Sequence, residues 1–90
     1  MAHKGQEELV AEVNEAKQKV KVGGKYFHYK HPDQFYTVLR IGLIEETEKV
    51  CVVYEAEYGE KLVWAWPLEN FLAKVTKDDG TEVDRFTKVM

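Results

Sequence analysis

Lys25-Tyr26-Phe27-His28-Tyr29-Lys30, running into His31-Pro32-Asp33, is where the chain changes its period. Before it, apolar residues recur at helical spacing. Within it they alternate, Tyr26 and His28 on one side and Phe27 and Tyr29 on the other, which is the two-residue period of a strand. Proline fixes φ and aspartate bonds locally, so His31-Pro32-Asp33 reads as a turn.

Working back from this stretch, residues 5–20 read as an amphipathic helix. Leu9, Val13, Ala16 and Val20 stack on one face. Glu7, Glu8 and Glu12 crowd the first turns and Lys17, Lys19 and Lys21 the last, which suits the helix dipole. Gly23-Gly24 stops the helix. A helix with so narrow an apolar stripe is marginal in water, so it packs on the rest of the domain or on a second copy.

Working forward, Phe35 to Ile44 reads as a long strand with Thr37, Leu39, Ile41 and Leu43 on one face. Tyr36, Val38, Arg40 and Gly42 take the other, and Gly42 marks a bulge or bend. Val50 to Glu57 reads as a central strand, because Cys51-Val52-Val53-Tyr54 is apolar on both faces. Tyr58-Gly59-Glu60-Lys61 turns into Leu62–Trp66, and Pro67 ends that strand and opens a short helical turn through Phe71. Leu72–Thr76 and Thr81–Asp84 flank Asp79-Gly80, a hairpin signal. Short antiparallel strands at this spacing curl to remove their edges. The expected fold is mainly β: a small SH3-like antiparallel barrel of five or six strands over residues 23–90. An N-terminal helix within residues 1–22 is added to it, packed on the barrel or on a partner.

Ninety residues hold one core, and net charge is −3. No apolar run is long enough to span a bilayer, and the first residues lack an apolar signal segment. The single cysteine excludes an internal disulfide and fits a reducing compartment, so the expected location is the cytoplasm. Residues 16–32 carry five lysines and no acid, leaving the remainder with eight more acids than bases. That block is either a solvated face or a patch for phosphates or acids.

Several dispersed residues follow one another in a characteristic order. Gly24-Lys25-Tyr26 and His28-Tyr29-Lys30 come first, then Tyr36, Val38-Leu39, Glu46-Thr47 and Val52-Val53-Tyr54. Tyr58-Gly59, Trp64 with Pro67, Phe71, Gly80 and Arg85-Phe86 complete the series. From Gly24 to Phe86 the chain resembles the small bacterial domain of unknown function numbered 1653. The resemblance implies a stand-alone β-rich domain with no assigned activity, and makes the helix at 5–20 an addition. The family tends to have arginine where Trp66 stands, a His-Ser pair where Ile44 and Glu45 stand, and proline where Asp84 stands.

No catalytic constellation emerges. The chain has no serine, and Cys51, mid-strand between valines, reads as a small buried hydrophobe. A Cys51–His28 pair across strands is conceivable, but a buried thiol is inert. Glu45/Glu46 lie in a polar loop, and Glu55/Glu57 read as a cross-strand charge ladder beside lysines. His28 and His31 point to different sides of a strand, and with His3 and Cys51 elsewhere they fall short of a zinc ligand set. No metal and no cofactor are expected.

The aromatic set is the candidate site. Tyr26 and His28 share one face, Trp64 and Trp66 another, Tyr58 sits at the adjoining turn, and Lys30 and Arg85 supply charge. Such residues either fill the core of a small barrel or line a groove on which flat or extended ligands stack. The first functional expectation is a non-catalytic binding module for a small molecule, peptide or flexible segment. The second is nucleic-acid or nucleotide binding through Lys21, Lys25, Lys30 and Tyr29. The third is an interaction or dimerisation domain using the N-terminal helix, as a monomer or homodimer with no membrane contact.

Overall fold

In a computed structural model, residues 4–89 are described. Helix α1 spans Gln6–Lys19. Strands β1 (Lys25–His28), β2 (His31–Leu43), β3 (Val50–Ala56) and β4 (Val63–Pro67) follow, then a single helical turn, α2 (Leu68–Phe71). Three short strands close the chain: β5 (Lys74–Thr76), β6 (Glu82–Asp84) and β7 (Phe86–Lys88). The main sheet is antiparallel, in the order β4-β3-β2-β1-β7, and β5 and β6 form a separate hairpin.

Local chemistry explains most of the boundaries. The backbone N–H of Val20 bonds the Ala16 carbonyl as α1 ends, and Gly23 then takes φ +84°, a conformation that favours glycine. Gly23 N–H donates to the Val38 carbonyl at 2.7 Å and Gly24 carbonyl accepts Val38 N–H at 3.0 Å, which docks the linker on β2. Ala16 and Val20 are buried, with Leu9 and Val13 half-buried, so the expected helix face is the one that packs. The Asp79-Gly80 hairpin forms, with Gly80 at φ +89° and Thr81 N–H donating to Asp79 Oδ1 at 2.9 Å.

Two strand readings change. The chain reverses at Tyr29-Lys30, and His31 already pairs with His28 across the turn. Pro32-Asp33-Gln34 are extra residues in β2, since Phe27 pairs with Phe35. Proline cannot donate to the ladder, so a bulge accommodates it where a regular strand would not. Farther on, the register slips between Val38 and Arg40, making Leu39 the bulge, not Gly42. One extra residue inverts the alternation beyond it. Ile41 therefore joins Tyr36 and Val38 on the core face opposite Val52, and Leu39 turns out to solvent.

The core lies on one face of the curved sheet. Val20, Tyr26, Val38, Val52, Tyr54, Phe71 and Phe86 are buried together. Phe71 from α2 stacks on Phe86 from β7 at 4.3 Å with an interplanar angle of 6°. Helix α1 and the α2 turn cover one end of this face.

The sheet is not closed into a barrel. Among the described residues no backbone pairing joins β4 to β7, the two edges. Side chains bridge them: Phe86 meets Trp66 edge to face at 6.4 Å, and Arg85 lies over the same ring. β7 is three residues long, pairs with β1 through Tyr26, Phe27 and His28 on one side, and has no strand on the other.

A candidate aromatic cleft between the sheet edges

Between β4 and β7 the inner face opens into a cleft of about 490 Å³. Its floor is aromatic. Tyr36 of β2, Tyr54 of β3 and Phe86 of β7 meet edge to face at 5.4 to 5.7 Å. One wall is Trp64, Ala65 and Trp66 of β4; the opposite wall is His28 of β1. The register explains this grouping: Trp64 pairs with Tyr54 and Trp66 with Val52, so both tryptophans project on the core face of β3. Tyr58, in the turn before β4, closes one end. Its hydroxyl hydrogen-bonds the Tyr36 hydroxyl at 2.5 Å.

The lining of the cleft carries no carboxylate, and one cation, Arg85, stands beside it. The Arg85 guanidinium lies 4.8 Å over the Trp66 ring and donates to the Asn70 carbonyl at 3.3 Å. It is half-buried, and no acid pairs with it among the described residues. Burial, then the charges of Lys30, Arg85 and His31, hold the His28 imidazole below 6.5. Burial and the bond to Tyr58 push the Tyr36 hydroxyl well above 10.0, and burial likewise raises Tyr54.

Of the residues expected at the site, His28, Tyr58, Trp64 and Trp66 come together here and Arg85 stands beside them. Tyr26 does not join them. It is 5% exposed, its ring packs edge to face on Phe71, and its hydroxyl accepts the Lys21 N–H at 3.0 Å. It is core because Phe71 and the linker after α1 close over it. Lys30 also lies elsewhere, in an exposed depression shared with Tyr29 and the acids Asp78 and Asp79.

The basic block is dispersed. Lys19 pairs with Glu15 on α1, and Lys25 pairs with Glu57 at 3.5 Å while lying over Phe35. Thr37 Oγ1 donates to the same Glu57 at 2.6 Å, so the expected cross-strand ladder uses Glu57. Cys51 is buried, and β2 separates β3 from β1, so no Cys51–His28 pair forms. His28 and His31, expected to diverge, are register partners; His3 lies outside the described residues.

Tyr36, Tyr54 and Phe86 are cleft residues that the site reading did not include. Tyr36 and Tyr54 become neighbours only through the β2–β3 register, and Phe86 through β7.

The chain matches the family described as "Protein of unknown function (DUF1653)" over residues 24–88. The chain belongs to the DUF1653 family. A crystal structure of a DUF1653 protein from Bordetella bronchiseptica is 28% identical. The match covers 80% of this chain and 90% of that one, with a TM-score of 0.67. No curated protein matches the chain. The residues matched to DUF1653 contain every cleft-lining side chain and Arg85, and begin after α1. No helix among the described residues is long and apolar enough to cross a membrane.

Proposed function

We propose that this DUF1653 domain is a non-catalytic binding module whose ligand site is the aromatic cleft. The observation that carries the reading is a half-exposed Trp64 beside Trp66 and Tyr58 around a cavity of ligand size, with an acid-free lining. Indole and phenol faces left in water over a concave surface favour stacking of a flat or apolar group. The unpaired Arg85 favours a ligand that also carries a carboxylate or comparable anion. A non-catalytic role fits the absence from the lining of a nucleophile held against a base: His28 faces aromatic rings, not a thiol or carboxylate.

Nucleic-acid binding has less support, since Lys25 is engaged by Glu57 and Lys30 lies beside Asp78 and Asp79. The experiment is a thermal-shift and fluorescence screen of N-acetylated aromatic and acidic amino acids, nucleotides and short RNA, at low and moderate salt. Both tryptophans of the chain line the cleft, so their emission reports on it. A response that survives salt and vanishes in Trp64→Ala is the expected result. A response confined to polyanions and lost in salt would move the site to the lysines.

A further inference from the structure

The register of β4 fixes which of its backbone groups are used. Ala56 N–H donates to the Leu62 carbonyl at 2.9 Å, and the ladder continues without a break from Val63 opposite Glu55 to Pro67 opposite Cys51. In an antiparallel pair the bonded positions alternate. Leu62, Trp64 and Trp66 therefore turn their N–H and C=O groups toward β3. Val63 and Ala65 turn theirs outward, to the side where the sheet has no further strand. Pro67 falls in the outward set, which is why a residue without an N–H is tolerated at that point.

Pro67 guards the end of this edge, and the stretch before it is open. Leu62 and Val63 are 56% and 55% exposed, and no charged residue stands between Leu62 and Pro67. Edge strands of this kind normally carry a lysine or other blocking device; the opposite edge, β7, does so with Lys88. The edge also opens onto the cleft. Trp64 and Trp66 share the inner face, so the methyl of Ala65 points to the outer one, and Ala65 borders the cleft through its main chain.

We propose that an extended acidic-apolar peptide segment adds to β4 as a sixth strand, lying in the gap between the sheet edges. Its backbone bonds the free groups of Val63 and Ala65. A peptide residue opposite Trp64 or Trp66 points to the inner face and places an apolar side chain in the cleft. An acidic residue meets Arg85, which forms no ion pair among the described residues. This inference rests on the cleft being the ligand site and names the ligand.

The test uses the whole chain and a displayed library of short linear peptides, with selected sequences titrated by tryptophan fluorescence. N-methylating alternate peptide amides should weaken binding about tenfold or more, while methylating the interleaved amides leaves it within about twofold. Ala65→Pro, which removes an outward N–H, should abolish binding with little change in the thermal midpoint. Arg85→Gln should erase the preference for an acidic residue. If Ala65→Pro does not fold, the N-methyl scan on the unaltered protein decides the matter. Equal tolerance of N-methylation at every amide, or selection of no peptide, would overturn strand addition. A dimer in ultracentrifugation that Ala65→Pro dissociates would also overturn it, by giving the edge to a second copy. If N-acetylated amino acids still bind in a Trp64-dependent way, the cleft stands as a ligand site and only the peptide assignment falls.

Discussion

The guanidinium of Arg85 lies 4.8 Å over the ring of Trp66, joining the residue before β7 to the opposite edge strand of the sheet. A closed barrel would join those strands by backbone hydrogen bonds. Here one stacked cation and one edge-to-face ring do so, and the space beside them stays open as the cleft.

That contact should be measurable by a double-mutant cycle. Arg85→Met and Trp66→Leu, separately and together, should give a coupling of about 0.5 to 1 kcal/mol in urea unfolding at moderate salt. A coupling indistinguishable from zero would mean that the stack contributes nothing in solution.

Alkaline stability should report the Tyr36 hydroxyl. Tyr36 is held above its ordinary 10.0 in the folded chain, so the unfolded chain releases this proton first. Stability from this group is full below pH 10 and is lost as pH rises from there toward the folded pKa. Tyr36→Phe should flatten the decline, seen by urea denaturation at stepped pH with phenolate absorbance as the parallel readout. A decline of unchanged slope in the variant would count against the raised pKa.

His28 should behave in the opposite range. Its folded pKa lies below 6.5, so the unfolded state takes up the proton more readily. Its contribution to stability is present above pH 6.5 and is lost as pH falls through the folded value. The imidazole ring-proton shifts in an NMR titration should place the His28 midpoint below 6.5. A midpoint at or above that value would show that burial and the nearby cations do not govern the ring.

Two glycines should respond differently to alanine. A Cβ on Gly24 would sit 2.9 Å from the Lys21 carbonyl oxygen and 3.2 Å from the Tyr26 ring. Gly24→Ala should therefore destabilise by about 1 to 3 kcal/mol. At Gly42 the nearest atom, Cys51 Sγ, is 3.9 Å away, so Gly42→Ala should be neutral or stabilise by about 0.5 kcal/mol. Thermal denaturation of the two variants checks the ordering, and equal losses would contradict this packing.

Helix α1, its packed face, the helical turn after Pro67 and the Asp79-Gly80 hairpin were legible in the sequence. Each depends on residues close together in the chain: a 3.6-residue stripe, a fixed φ, a glycine at positive φ. The period change at Lys25 likewise announced an antiparallel β domain. Register, in contrast, is a relation between strands. The bulge at Leu39 leaves no composition signal, yet it exchanges Leu39 for Ile41 in the core and inverts the face reading beyond it. Strand β7, three residues long, forms because Tyr26, Phe27 and His28 offer it a partner edge. Tyr26 and Trp64 look alike as aromatic strand residues; the linker and Phe71 cover one, and the other stays half-exposed. Local periodicity thus determined what each segment could become. Only long-range pairing decided that the sheet stays open, which aromatic residues it buries, and which it leaves facing the gap.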